Sequence, residues 1–459
     1  MNIMTIIKHL YISSRYSYPK LGVMLLFITL LISSCSSDTD VTDSPSVNED
    51  KSVVVTLHLS TSPAKTRAEG APVWTDGEAG ENMKSYTIVI TDNTNKIVKV
   101  LTNTLGSEKT EEAISGVSLS EGSYTFYSFA NITGLTFTEG TTFDENQTYT
   151  SNALAYNTDK SSGIPMSNKQ TKDVTSGTTD IYLYTIRMMA KLEFQIKNDT
   201  GQNVEITKVS VSDITNDITD NIFLLPKYTG DYSANKVCEP NISSSATYSE
   251  QGRSVKETIS NSDTKNIVFY VNESQARSPL YHVITIDMKY SGKSVQQRYA
   301  MLDWQYIARN DWRVIPITLT DYVFTCDVEA FTAIGVLPDL TSAYNSLSVT
   351  FNGTYGEFHI KPSLKKLSDS SVIEYDPIGT DNTKWHFPSD IFESDNTLAF
   401  SLREDNVSPS ILSKDLTWTP STKYFEAYMS PYNGTALRTL NIVLPGGKTM
   451  KYKIQLTKK

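Results

Sequence analysis

Apolar and polar residues alternate along most of this chain. In the run 53–59, Val53, Val55, Leu57 and Leu59 fall on one face. Tyr86, Ile88 and Ile90 repeat the pattern, Asp92-Asn93-Thr94-Asn95 turns the chain, and Ile97 to Val100 follows as the second arm of a hairpin. Tyr124 to Phe129 begins after Glu121-Gly122, and Ile181 to Tyr184 after Ser176-Gly177. Leu192, Phe194 and Ile196 point one way, while Lys191, Glu193, Gln195 and Lys197 point the other. The same period of two recurs at Ile284, Ile286, Met288 and Tyr290, at Leu347, Val349 and Phe351, and at Tyr452, Ile454 and Leu456. A period of two punctuated by turn residues belongs to half-buried strands. No long stretch has the helical period with caps; there is room for short helices, for example around Glu78 to Lys84. The pattern predicts an all-β protein built of tandem antiparallel β-sandwich domains. Its richness in Ser, Thr and Asn, with 26 Tyr, suits exposed extracellular sheet.

Changes of pattern place the divisions. A polar loop and a short strand give way to a fresh amphipathic strand near Thr185, and another break follows Val314 to Leu319, near Tyr322. These give an N-terminal domain over 51–185, a second over 186–322 and a third over 323–459. The third has its own hairpin signals, Phe351-Asn352-Gly353-Thr354-Tyr355 and Leu444-Pro445-Gly446-Gly447. In the second of these, Leu440 to Leu444 pairs with the last strand, Lys451 to Leu456.

The first residues read as an address rather than as structure. Lys8, Arg15 and Lys20 precede an apolar run of 12, Leu21 to Ile32. That run is too short for a spanning helix, which needs about 20 residues, and suits a signal peptide over 1–34. It ends Ile32-Ser33-Ser34-Cys35, an aliphatic residue, two small residues and Cys, as in bacterial lipoprotein signals. Cys35 is therefore the expected lipidation site, the partner there being outer-membrane lipid. Residues 35–50 are polar and acidic and read as a flexible tether.

Net charge is −10, and becomes −13 once Lys8, Arg15 and Lys20 leave with the signal. An acidic chain without a basic cluster argues against nucleic acid as a partner. Cys238 and Cys326 stand far apart with no CxxC, so no zinc or redox motif is present, and they are either free or one pair. His58, His282, His359 and His386 are isolated, and no HExxH, GxSxG or phosphate loop occurs. The Asp- and Asn-rich loop Asn216 to Asn221 lacks EF-hand spacing. No catalytic residue, metal site or cofactor is therefore expected, and the chain reads as a non-enzyme. Trp304, Trp312, Trp385 and Trp418 could stack on sugars, but interior packing is commoner for Trp in strands, and Trp312 reads as core because it alternates with Val314.

Five segments, in order, resemble the FimA-like fimbrillins, the type V pilins. They are Lys65-Thr66-Arg67-Ala68; Gly122-Ser123-Tyr124-Thr125-Phe126-Tyr127-Ser128-Phe129-Ala130-Asn131; Gly163-Ile164-Pro165-Met166-Ser167; Arg187-Met188-Met189-Ala190-Lys191-Leu192-Glu193; and Ile307 to Val314, with Trp312 where the family has Tyr. They span 51–322; the third segment of the chain is not covered in the same way. The resemblance implies transthyretin-like sandwiches and polymerisation with other pilin subunits by donor-strand exchange. It also implies cutting by an arginine-specific protease between Arg67 and Ala68, after which the first strand, with Val53, Val55, Leu57 and Leu59, leaves and a neighbour's strand replaces it. The strand with Tyr452, Ile454 and Leu456 is then either a donor or a last core strand. An extra domain fits a tip or accessory adhesin, with a host or bacterial surface ligand, better than a shaft repeat. The other readings are a lipid-retained pilus anchor, and a surface glycan-binding lipoprotein of a nutrient-uptake system, which would show aromatics aligned on an exposed face. The expected location is the outer membrane for the precursor and a surface fimbrium for the assembled subunit.

Overall fold

The alternating runs are strands, and their apolar faces meet in three main cores. A computed structural model of the chain describes residues 52–61, 78–218, 221–227, 239–277, 281–302, 304–334, 339–352, 355–393, 416–429 and 434–458. All lie within one compact unit, Asp50–Lys459.

Seven strands build the first core: β1 (Ser52–Thr61), β2 (Met83–Thr91), β3 (Ile97–Lys109), β4 (Glu111–Ser120), β5 (Gly122–Ala130), β6 (Met166–Val174) and β7 (Asp180–Arg187). They hydrogen-bond in the order β3-β2-β5-β6-β7-β1-β4. β6 and β7 share only two residue pairs, Met166 with Arg187 and Ser167 with Ile186. The sheet folds over at this short joint, so Ile88, Ile90 and Phe126 of one limb pack on Val55, Leu57 and Leu183 of the other. This is the physics of a sandwich: each pleated face is apolar on one side and must bury it against another.

The second core uses β8 (Met189–Asp199), β9 (Val204–Thr215), β10 (Tyr248–Ile259), β11 (Thr264–Asn272), β12 (Ser274–Gln275), β13 (His282–Tyr290), β14 (Lys293–Met301), β15 (Tyr306–Ile307) and β16 (Trp312–Thr320). A four-stranded sheet β10-β9-β13-β14 faces a three-stranded sheet β11-β8-β16, with β12 and β15 paired beside them. Leu192, Phe194, Ile196 and Ile317 of the three-stranded sheet pack with Val209 and Ile286 of the other.

The third core is formed by β17 (Tyr322–Ile334), β18 (Asp339–Ala343), β19 (Ser346–Phe351), β20 (Tyr355–Lys366), β21 (Val372–Ile373), β22 (Leu416–Thr419), β23 (Tyr424–Met429), β24 (Gly434–Val443) and β25 (Thr449–Lys458). One sheet runs β17-β20-β23-β22 with β21 on β20, the other β18-β19-β25-β24. The Leu444 to Gly447 turn joins β24 to β25 as expected, Leu440 facing Tyr452. Gly446 and Gly447 have φ of 82° and 79° there, which only glycine adopts without strain.

Three local expectations are corrected. Residues 351–355 do not close a hairpin: β19 pairs with β18 and β25, and β20 with β17, β21 and β23, so the connection crosses between sheets. Glu78 to Lys84 is a turn leading into β2, and the short helix is instead α1 (Ala153–Tyr156). Trp312 is half-buried, and β16 buries Ile315, Ile317 and Leu319 instead. The indole Nε1–H of Trp312 reaches Glu193 Oε2 at 3.1 Å, which ties the ring to the polar face of β8.

Candidate functional site

β1 is not an edge strand. It runs parallel to β7, with Leu57 opposite Ile181 and Leu59 opposite Leu183, and antiparallel to β4, with Val53 opposite Leu119 and Val55 opposite Val117. A bulge between Val55 and Leu57 shifts the second register. Val55, Leu57 and Leu59 are almost fully buried and Val53 nearly so. Both main-chain edges and the whole apolar face of the strand are therefore used. Without β1, residues 180–185 of β7 and 111–120 of β4 would lose ladder partners, and a slot lined by Ile181, Leu183, Val117 and Leu119 would open. Buried main-chain groups and apolar surface left without a partner invite another strand.

The outer face of the same strand is polar. His58 Nε2 lies 2.8 Å from Asp180 Oδ1 on β7, and His58 Nδ1 lies 3.9 Å from Glu111 Oε1 on β4. The imidazole also stacks on Tyr182, with centroids 4.8 Å apart and planes 16° from parallel. The hydrogen bond from His58, followed by one from Thr179, holds the Asp180 carboxyl below the usual range.

Sequence reasoning placed the lipidation site at Cys35 and the cut between Arg67 and Ala68. Both lie outside the described residues, as does Cys238. Tyr452, Ile454 and Leu456 are buried in β25, which is paired to β24 on one side and β19 on the other. Cys326 is a free, buried thiol whose pKa burial pushes well up, so it is a poor nucleophile. Asp217 spends its carboxylate on Ser151, the Leu154 amide and Asn272. Among the described residues no group of three His, Cys, Asp or Glu is placed to hold a metal ion.

Four of the five segments that carried the resemblance, those among the described residues, supply side chains to the junction between the first two cores. Asn131, just after β5, has φ 55°, and its side chain accepts from the Lys84 amide at 2.7 Å and donates to Asn82 O and Ile164 O, both at 2.9 Å. Gly163 lies against it with φ +74°, and a Cβ there would meet Asn131 Nδ2 at 2.5 Å. Arg187 Nε donates to Glu81 O at 2.9 Å; burial lowers the Arg187 pKa to about 10, against the pull of the Glu81 charge. Lys191 Nζ pairs with the fully buried Glu81 at 2.9 Å, and the Tyr270 hydroxyl donates to the same carboxylate. Burial, with Glu81 beside it, pushes the Tyr270 pKa far above its ordinary value. Arg309 pairs with Glu273 and also donates to Phe223 O, Leu224 O and Ser167 Oγ. The Lys191–Glu81 and Arg309–Glu273 pairs are structural clamps: each buried pair is further hydrogen-bonded, as burial requires. Sequence reasoning missed Glu81, Tyr270 and Glu273, whose partners Lys191, Glu81 and Arg309 lie 110, 189 and 36 residues away. Nothing local distinguishes them from solvated residues.

A strand buried on both edges, and clamps where charged residues gather, define a β-sandwich protein. Residues 52–212 match the family described as Major fimbrial subunit protein (FimA). That stretch, about a third of the chain, is similar to this family of fimbrial subunits. Among solved structures it is similar to the tip fimbrial protein Mfa3 from Porphyromonas gingivalis with C-terminal truncation, at 12% identity over 68% of this chain and 99% of that one, TM-score 0.33. It is similar to a fimbrilin (fimA) from Porphyromonas gingivalis W83, at 12% identity over 60% of this chain and 89% of that one, TM-score 0.34. A fimbrial assembly protein from Parabacteroides distasonis matches at 12% identity over 70% of this chain and 98% of that one, TM-score 0.31. No curated protein matches the chain.

Proposed function

We propose that the chain is a tip or accessory adhesin subunit of a surface fimbrium, exported as a lipoprotein acylated at Cys35. Cutting after Arg67 releases β1, and other pilin subunits join by donating a strand into the vacated slot. The observation that carries this reading is the placement of β1, an interior strand with Val53, Val55, Leu57 and Leu59 buried. Burying such side chains is worth about 1.5–3 kcal/mol each at most, so the precursor holds β1 firmly while the tether is intact. Once the chain is cut, a second strand of similar pattern competes for the same contacts on equal terms. Cys35 lies upstream of Arg67, so one cut both arms the slot and detaches the subunit from the outer membrane.

The tip or accessory role draws support from the third core, which lies wholly beyond the matched residues 52–212 and in which β25 is held on both sides within its own sheet. The division into modules 51–185, 186–322 and 323–459 belongs to the same proposal, with the third facing the ligand.

The test is cleavage by an arginine-specific protease, with the new N-terminus read by mass spectrometry. Wild type is expected to yield Ala68 as its first residue and to take up a synthetic strand or co-polymerise with partner pilins. Arg67→Ala is expected to stay monomeric and attached to membrane lipid. A cut chain that neither loses β1 nor accepts a strand would overturn the proposal.

A further inference from the structure

The outer face of β1 carries one ionisable residue, His58, and it faces carboxylates on both neighbouring strands. Its side chain is 23% exposed, against 44% for Asp180 and 63% for Glu111. The other polar side-chain contacts of β1 are neutral: Ser52 with Ser118, Ser60 with Leu183 O, Thr61 with Thr110 O, and Thr185 with Ser60 O. Val53, Val55, Leu57 and Leu59 hold the inner face whatever the pH, since apolar contacts carry no charge to lose. On β1 itself, only His58 can make the hold of the strand depend on protonation.

We propose that His58 is a pH-sensitive latch on β1, an imidazolium bridge from Asp180 of β7 to Glu111 of β4 that sets how fast the cut strand leaves. The proposal rests on the strand-release reading above and adds a control to it. As the cation, His58 attracts both carboxylates at once. As neutral imidazole it keeps one hydrogen bond to Asp180 and the stack on Tyr182, and loses the charge attraction. The groups facing it are Asp180 and Tyr182 on β7 and Glu111 on β4; Glu112 is engaged by Lys109. No cation among the described residues is paired with either Asp180 or Glu111 apart from His58. The latch position is also outside the apolar slot, so it can be altered without creating a cavity.

The sign follows from the charges. Acid favours the cation, and a nicked β1 is then retained; base favours the neutral imidazole, and the strand departs faster. A partly exposed ion pair changes the exchange rate by about five-fold at most, and a second carboxylate adds less than the first.

The experiment uses the full-length chain with Cys35→Ala, to keep it in solution, and a sequence-specific protease site inserted into segment 62–77. This makes the readout independent of Arg67. After complete cutting, exchange of β1 against an excess of fluorescent peptide of sequence Ser52–Thr61 is followed at pH 5.5 and pH 8.5. Wild type is expected to exchange about five-fold more slowly at pH 5.5. His58→Gln is expected to exchange at the faster rate at both pH values, and Glu111→Gln and Asp180→Asn each to shrink the ratio. A ratio near one in wild type, or an undiminished ratio in His58→Gln, overturns the latch and leaves strand exchange standing. No exchange of the cut strand at either pH overturns both readings.

Discussion

Arg309 Nε donates to Glu273 Oε1 at 3.0 Å, and both side chains are completely buried at the joint between the first and second cores. The guanidinium also reaches the main chain of Phe223 and Leu224 and the hydroxyl of Ser167. It thus binds β6, the loop after β9 and the end of β11 into one block. Taking two ions out of water costs nearly what their attraction returns, so the pair adds little net stability. Removing one partner is different, because the other is left charged and dry.

Arg309→Met is therefore expected to lower unfolding stability by about 3–5 kcal/mol. The double variant Arg309→Met with Glu273→Leu should recover most of that loss. Guanidinium titration followed by circular dichroism measures both. Equal losses in the single and double variants would show that the pair itself, rather than the stranded carboxylate, carries the stability.

The turn before β6 gives a second expectation. Gly163 has φ +74°, and its missing side chain leaves room for Asn131. Gly163→Ala both strains the backbone and displaces the amide that binds Lys84 N, Asn82 O and Ile164 O. The combined cost should be about 2 kcal/mol, from roughly 1 kcal/mol of backbone strain and one lost hydrogen-bond site. Alanine at Gly134, which also has positive φ but open space around it, isolates the strain component.

What could be read in the sequence follows from how local each signal is. Alternation identifies strands because the side-chain period is a property of the strand itself, and β1, β8, β13 and β25 were all visible this way. Strand pairing is not local. Phe351 to Tyr355 has the look of a hairpin, yet β19 joins β25, about a hundred residues later, and the chain passes to the other sheet. Charge burial is equally remote. Glu81 resembles any acidic residue after a Gly-rich stretch, and its burial depends on Lys191, 110 residues away. Arg187, Lys191 and Arg309 stood out only through family resemblance; their clamp role needs the three-dimensional junction. Trp312 was misread because alternation says which residues share a face, not which face is inward.

His282 supplies a pH dependence. It is fully buried on β13, with Nδ1 2.8 Å from Ser212 O and Nε2 without a hydrogen-bond partner. Burial lowers its pKa, with Arg313 acting the same way and Ser212 O and Asp213 opposing. The folded chain therefore takes up this proton later than the unfolded chain, whose imidazole titrates near its ordinary value of about 6.5. Stability is full above that value and falls as pH drops through it toward the lowered folded value. The urea midpoint should decrease from pH 7.5 to pH 5.0, and His282→Leu should show a smaller decrease over the same interval. A variant slope equal to that of wild type would assign the effect elsewhere.

The last expectation separates a donor strand from a core strand at β25. Tyr452, Ile454 and Leu456 are at most 4% exposed. Ile454 faces Leu347 and Leu456 faces Val349 across the parallel ladder with β19, while Tyr452 faces Leu440 across the antiparallel one with β24. Tyr452 also meets the Phe324 ring edge-on at 4.9 Å, which ties the strand to the opposite sheet. Three such side chains are worth about 1.5–3 kcal/mol each, a total comparable with the roughly 5–15 kcal/mol that stabilises a whole domain. A chain stopped after Gly447 is therefore expected to lose the third core while keeping the first two. Trp385, 2% exposed in that core, reports the loss as a red shift of fluorescence in a variant whose other tryptophans are replaced by Phe. Ile454→Ala should give a graded version, about 2–5 kcal/mol less stable in that core alone. If the truncated chain instead keeps a folded third core and fails only in joining other subunits, β25 is a donated strand. The subunit would then sit within the fibre rather than at its tip.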